Sequence, residues 1–339
     1  MFPKVSIIVP VYNLENRIDK TLNSILSQSF SDYEIIVVDD CSSDGSAEVI
    51  KRFFMKNSTI RHKLLTHEQN KGVSAARNNG IKEASGEYVI FWDGDDLARK
   101  NFVSDLYLKA TENGNLYDII MSGHTEINEN KGKEKIYRIP IRSTKGKSPQ
   151  QIAALKILGR IKTHMCSSIY RRSFLEISEL KFFPGCCAGE DVEFAIKSLV
   201  RSCNTGFLEK NDYIYIVHGK KGIIEDYDSR LKKIRRYSDN TMAHIRTTEY
   251  ISKFTEDSYL KFINDHMLLP QTVQREISML AIKNDRLAFC GKIKDKSTRK
   301  ILWSSFKSIK IKTEVFLKSL LILLFPKSYY KYYLKKYNS

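Results

Sequence analysis

The stretch EYVIFWDGDD, residues 87–96, sets three carboxylates, Asp93, Asp95 and Asp96, within four positions directly behind an apolar run. Carboxylates crowded in this way repel one another unless positive charge sits among them. An Asp-x-Asp just past a buried strand offers two carboxylates on one side of a turn, as a hard divalent cation requires. Mg2+ and Mn2+ commonly complete their shell with phosphate oxygens of a substrate, so a diphosphate is the natural partner. Helix capping by Asp95 or Asp96 is the plainer alternative, but it accounts for one aspartate and not three. Two further acidic sites stand out. Asp39 and Asp40 in VVDDCSSDGS could accept from a base N–H or a ribose hydroxyl, or serve only the turn that Asp44-Gly45 suggests. Glu190 and Asp191 in GEDVEF open a helix, where the dipole favours carboxylates whatever the function. An ionised Asp there, near a sugar hydroxyl, can act as general base.

The elements that must position these groups are legible up to about residue 125. KVSIIVPVY, YEIIVVDD, HKLLTHE and YVIFWD read as strands, and helical stretches follow each of them. Short apolar strands alternating with helices predict a doubly wound, mostly parallel sheet covered on both faces. In such sheets ligands bind outside the carboxyl ends of the strands. Asn13, Asp39 with Asp40, Gln69 with Asn70, and Asp93 with Asp95 all fall there. Residues 126–150 read as an exposed hairpin or loop, followed by a helix over 149–158 and a last strand in DYIYIVH. From about 225 the text is helical and basic, which predicts a catalytic domain over 1–220 and a helical region over 221–339.

Several classes are excluded. There is no G-x-x-x-x-G-K-[ST], no G-x-G-x-x-G after the first strand, no zinc spacing and no G-x-S-x-G. An EF-hand fails because the alternating oxygen ligands and the closing Glu are missing around Asp39–Asp44. The six cysteines include no C-x-x-C pair and read as reduced, structural thiols of a cytoplasmic protein. The opening segment MFPKVSIIVPVYN lacks the length and cleavage site of a signal peptide.

VSIIVPVYN, VVDDCSSDGS, NKGVSAARNNGI, GEYVIFWDGDD and GEDVEF, in this order and spacing, resemble the inverting family 2 glycosyltransferases, whose members have the GT-A fold. The resemblance covers residues 3 to about 220. It implies that Pro10 and Tyr12 line a nucleobase pocket, with Tyr12 stacked on the ring. Asp39 and Asp40 would contact the base, and Arg77 would lie close to the base or the diphosphate. Asp93 would sit against the ribose and a Mn2+ or Mg2+ ion, with Asp95 the principal metal ligand. Asp191 would be the catalytic base and Glu190 its substitute. Some members add a late histidine to the metal shell, and Tyr-x-Tyr-x-x-His ending at His218 matches that pattern. The hydroxyl-rich segment usual after it is replaced here by KKGII. The implied reaction moves a sugar from a UDP-sugar to an acceptor hydroxyl with inversion. Another nucleotide donor, a protein or polyol-phosphate acceptor, or a non-catalytic lipid- or nucleic-acid-binding protein on the same scaffold are the alternatives.

The formal charge of +17 is unevenly placed: residues 1–200 hold 28 Lys/Arg against 25 Asp/Glu, and residues 201–339 hold 28 against 14. The tail interleaves Lys with Tyr, Phe and Leu around LLILLF, residues 320–325. That apolar run is shorter than the roughly 20 residues a spanning helix needs. A solvated helical subdomain would account for the lysines. Phosphate grooves of nucleic acid have no use for LLILLF, whereas an anionic membrane interface rewards both features. Peripheral binding on the inner face of the cell membrane and a lipid-linked glycan acceptor in bacterial surface-polysaccharide synthesis are therefore expected.

Overall fold

The computed structural model describes residues 2–218, 229–308 and 313–338. The chain divides into two compact units, Met1–Pro149 with Ile161–Ile223, and Gln150–Arg160 with Ile224–Ser339.

The first unit is built on nine strands: β1 (Val5–Val11), β2 (Tyr33–Asp39), β3 (Arg61–Thr66), β4 (Tyr88–Phe91), β5 (Leu97–Ala98), β6 (Ile119–Asn128), β7 (Lys133–Tyr137), β8 (Ser168–Arg171) and β9 (Thr205–Val217). They form one sheet in the order β3-β2-β1-β4-β8-β6-β9-β5, with β7 paired to β6. The helices that interleave them are α1 (Ile18–Leu26), α2 (Ser46–Lys56), α3 (Val73–Glu83), α4 (Phe102–Ala110), the short α5 (Ile141–Thr144), α7 (Arg172–Ile177) and α8 (Glu190–Arg201), whereas α6 (Pro149–Ile157) belongs from Gln150 on to the second unit. Every residue of β1, β2 and β4 is buried, as their β-branched, apolar text requires of strands covered on both faces. The register Val11↔Asp39↔Thr66 brings the ends of β1, β2 and β3 level, so the polar residues that follow them meet at one edge.

The parallel arrangement holds for β3-β2-β1-β4, but the sheet as a whole is mixed. Beyond β4 comes β8, antiparallel to both β4 and β6, and β6 runs parallel to β9. No crossover helix is needed for an antiparallel neighbour, so the alternating pattern ends where this half begins. Residues 126–150 contain the hairpin β6–β7, whose second strand is largely exposed.

In the second unit α6 is joined by α9 (Ser229–Phe254), α10 (Ser258–Ile263), α11 (Leu269–Ile282), α12 (Arg286–Lys294), α13 (Lys296–Ser304), α14 (Thr313–Leu324) and α15 (Pro326–Asn338). Asp257, Asp285 and Asp295 cap α10, α12 and α13 by accepting from the N–H three residues on. Val273, Ile277, Phe289, Leu302, Ile322 and Tyr329 belong to one buried cluster, so the tail contributes to the unit's core. No helix among the described residues is long and apolar enough to cross a membrane.

Candidate active site

The loops after β1 and β2 are laced together. Asn13, at φ 52°, accepts from the Ser43 N–H at 2.8 Å and donates its own N–H to Ser42 Oγ at 3.0 Å. The Leu14 N–H bonds Ser46 Oγ, and the Gly45 N–H bonds Glu15. Against this rigid rim Pro10 is buried, whereas Tyr12 is 36% exposed at the edge. Asp39 is 2% exposed; its Oδ1 accepts from the Ser42 N–H and hydroxyl, and its Oδ2 has no partner among the described residues.

Asp40, expected to contact the base, is engaged by groups of its own chain. Its Oδ1 takes His67 Nδ1 at 2.6 Å and the Lys71 N–H at 2.8 Å, and its Oδ2 takes the Gly72 N–H at 2.7 Å. His67 Nε2 in turn meets the Asn79 amide at 2.8 Å. With both oxygens engaged and 2% exposure, the carboxylate secures the β3–α3 loop. A buried acceptor that closes a loop must satisfy its N–H groups before it can serve a ligand.

Arg77 reaches the sheet edge because α3 lies close on β1: a Cβ at Gly80 would come within 2.2 Å of Ile8 Cγ2. The guanidinium is 3% exposed, bonds Asp93 at 2.7 Å and Glu190 at 3.2 Å, and lies 5.2 Å from the Phe182 ring centroid. Asn78 clamps Phe182 through both backbone groups, at 2.8 and 2.9 Å. Burial would strip Arg77 of its proton, but Asp93 and Glu190 outweigh it and hold the pKa above its ordinary value. Burial likewise pushes the Asp93 carboxyl up, and Arg77, with His164, more than reverses this, leaving it below the usual carboxylate range.

The remaining carboxylates shift the other way. Burial and then Asp93 raise Asp95, with His218 only partly opposing them. Burial, Asp93 and Asp95 raise Asp96 strongly, although it accepts from the Tyr213 hydroxyl at 2.7 Å and the Ile216 N–H at 2.8 Å. The turn carrying these groups passes close under β1. At Gly94 a Cβ would meet Leu14 at 2.7 Å and the Pro10 carbonyl at 2.8 Å, so only glycine fits. The Tyr215 hydroxyl is pushed up to about 12, by burial first and by the charges of Asp96, Asp93, Asp95 and Asp191 next.

His218 comes to Asp95: Nε2 lies 3.1 Å from Oδ2, while Nδ1 is 2.8 Å from Glu129. The buried Nε2 makes no well-formed hydrogen bond, and a carboxylate bonded to the other ring nitrogen is the usual support of a ligating histidine. Asp95 and His218, with Asp93 beside them, therefore fit a Mn2+ or Mg2+ ion that takes its other ligands from substrate. Asp93, His164 and Cys166 also converge, their ligand atoms within 4.8 Å of one another. That trio suits a hard cation less. Asp93 already holds a guanidinium, and burial keeps Cys166 a neutral thiol by pushing its pKa well up. The KKGII segment lies within residues 219–228, outside those described.

Glu190 and Asp191 sit in the first turn of α8, after Gly189 at φ 87°. Glu190 is held by Arg77, and burial first raises its pKa. Asp191 is partly exposed and has no hydrogen-bond or ion-pair partner among the described residues. His164, Cys166 and Glu129 were not singled out from sequence, and Tyr213 and Tyr215 entered only within the Tyr-x-Tyr-x-x-His pattern. The i, i+2 spacing of Tyr213 and Tyr215 places both on one face of β9, and this was the one available signal.

A sheet that gathers carboxylates and a buried arginine at its strand ends in this way is of the GT-A type, with a helical region following it. The family model "Glycosyl transferase family 2" matches residues 6–178, and the chain belongs to that family. It is 43% identical over 130 residues to the glycosyltransferase GlyA of Streptococcus pneumoniae, a match covering 38% of this chain and 18% of GlyA. It is 32% identical over 217 residues to EpsJ of Bacillus subtilis, described as an uncharacterized glycosyltransferase, covering 63% of this chain and 61% of EpsJ. The chain thus spans less than two thirds of either relative. Its fold is similar to that of Staphylococcus aureus TarS 1–349 solved with UDP-GlcNAc, at 21% identity and TM-score 0.64 over 99% of this chain and 91% of that one. It is also similar to the mannosyltransferase PcManGT of Pyrobaculum calidifontis, solved with GDP-Man and Mn2+, at 15% identity and TM-score 0.52 over 96% and 88%.

Proposed function

We propose that the protein transfers a sugar from a UDP-sugar to an acceptor hydroxyl with inversion at the anomeric carbon, in the presence of Mn2+ or Mg2+. The observation that carries this is Arg77 anchored between Asp93 and Glu190, the neighbour of Asp191, with His218 Nε2 3.1 Å from Asp95. Tyr12 offers an exposed ring on which a base can stack, beside the buried Pro10, and the unengaged Oδ2 of Asp39 offers an acceptor for a base N–H. Arg77 keeps Asp93 ionised and in place for the ribose side of the donor. Asp95 and His218 would hold the ion, which supplies positive charge opposite the diphosphate as the glycosidic phosphate bond breaks. Asp191, with no partner of its own, takes the proton of the attacking hydroxyl. Glu190 is tied to Arg77, which favours Asp191 as the base. Asp40 acts from behind the site by holding the start of α3.

On the acceptor side we infer a lipid-linked glycan reached from the inner face of the membrane. Leu317, Leu321, Leu324 and Phe325 are 43–58% exposed. Leu317, Leu321 and Leu324 form an apolar stripe on α14, with Phe325 just past its end, in the half of the chain that carries the cationic excess. A panel of UDP- and GDP-sugars, assayed for nucleotide release with Mn2+ present, tests the donor. Release from a UDP-sugar and not from GDP-sugars is expected; release from GDP-sugars alone would replace UDP as the donor, and no release from any would remove the transferase reading.

A further inference from the structure

The second unit contains a polar cleft of about 390 Å³ that none of the preceding roles uses. It is lined from five helices: Ile157 on α6, Tyr237 on α9, Arg275 on α11, Lys318 on α14, and Tyr333 with Lys336 on α15. Its floor is fixed. The buried Gln274 donates to the Val315 carbonyl at 2.7 Å and to Ser319 Oγ at 2.8 Å, and Ser278 meets the Tyr329 hydroxyl at 2.6 Å. Lys318 stands 5.4 Å from the Tyr333 ring centroid and Arg275 5.9 Å from that of Tyr237. Neither Lys318 nor Arg275 has a carboxylate within salt-bridge distance among the described residues. The one carboxylate of the lining, Glu314, is exposed.

Arg275 and Lys318, drawn into one half-closed cleft, repel each other, and an exposed glutamate neutralises little of that. Burial raises the Tyr333 hydroxyl, but the hydrogen bond and charge of Lys318, with hydrogen bonds to Tyr329 and Ser278, bring the pKa below its ordinary value. The guanidinium of Arg275 and the ammonium of Lys318, with no carboxylate in salt-bridge distance among the described residues, match a group with several acceptor oxygens and at least one full charge. The volume lies within the usual range for small-ligand sites, about 300–1,000 Å³, and leaves space for a substituent beyond the anion.

We propose that this cleft binds a phosphoryl group esterified to an alcohol, presented either by a soluble phosphoester or by a lipid headgroup. The assignment rests on the second unit alone and needs neither the catalytic roles nor the stripe on α14.

Calorimetry on the full chain tests it, with glycerol 3-phosphate and glycerophosphoglycerol as soluble probes. The lipid source is probed by phosphatidylcholine vesicles with and without phosphatidylglycerol. The variants are Arg275→Gln/Lys318→Gln, and Lys294→Gln, which removes one exposed charge of the same unit away from the cleft. A soluble ester should bind the wild type and Lys294→Gln alike, and at least tenfold more weakly to the double variant. Binding only to phosphatidylglycerol vesicles, with the same dependence on Arg275 and Lys318, assigns the group to a headgroup. If the double variant does not fold, Lys336→Glu, at an exposed position on the rim, replaces it. The proposal fails if no probe binds, or if the cleft variants and Lys294→Gln weaken binding equally.

Discussion

Replacing Arg77 by Gln is the perturbation whose size follows most directly from the structure. The guanidinium is almost fully buried and neutralises Asp93 at 2.7 Å and Glu190 at 3.2 Å, whose side chains are 23% and 11% exposed. Gln fills part of the space but leaves two partly desolvated carboxylates facing each other. Breaking a buried pair from one side costs about 3–5 kcal/mol, two to four orders of magnitude in the unfolding constant. Trp92 is fully buried in this unit and Trp303 is the only other tryptophan, so a Trp303→Phe background makes urea unfolding by fluorescence report the first unit alone. The sign of the pH effect is also set. In the wild type the depressed Asp93 pKa contributes stability above the unfolded value near 4, lost as pH falls through the folded value. Without Arg77, burial raises the Asp93 pKa, so the protonated form is favoured on folding and stability is lost as pH rises. The deficit of Arg77→Gln should therefore be larger at pH 7.5 than at pH 5. Adding Asp93→Asn should recover part of it. A loss below about 1 kcal/mol at pH 7.5, or a deficit that grows toward pH 5, would refute the reasoning.

Asp191→Asn keeps size and polarity but takes no proton, so kcat should fall by roughly 10²–10⁴ while UDP affinity holds; near-normal turnover in Asp191→Asn beside a dead Glu190→Gln would move the base to Glu190. Changing Leu317, Leu321 and Phe325 together to Ser should release the protein from anionic vesicles in a sedimentation assay. These exposed positions are preferable to truncation at about residue 301, because Leu302, Ile322 and Tyr329 are core. Binding of the unaltered chain should weaken between 0.1 and 1 M salt, as the Debye length falls from about 10 to about 3 Å, without vanishing. A chain that stays in the supernatant at low salt with anionic vesicles would leave the tail as a solvated helical subdomain.

The parallel half of the sheet was legible because β1, β2 and β4 each carry a run of β-branched apolar residues ending in polar ones, and the weaker β3, RHKLLT, was placed by the alternation with helices. Asp39, Asp93 and Asp95 could be placed at the edge for the same local reason. Asp40 could not be separated from Asp39, since its role depends on His67 and the Lys71–Gly72 amides, some 27 to 32 residues away in the chain. His164, Cys166, Tyr213 and Tyr215 enter through the antiparallel half, where no periodicity announces which strand lies beside β4. LLILLF read as one apolar block, whereas the structure divides it: Ile322 and Leu323 face the core, and Leu321, Leu324 and Phe325 face outward.

The central claim is that Asp95 and His218 complete a metal-dependent nucleotide site. Calorimetry with UDP, in Mn2+ or in EDTA, on the wild type, Asp95→Ala and His218→Ala tests it most directly. UDP should bind the wild type at least tenfold more tightly with Mn2+ than with EDTA, and Asp95→Ala should lose that gain while keeping the EDTA affinity. His218→Ala should lose part of it. Equal UDP affinity of the wild type with and without Mn2+, or an undiminished Mn2+ gain in Asp95→Ala, would contradict the account.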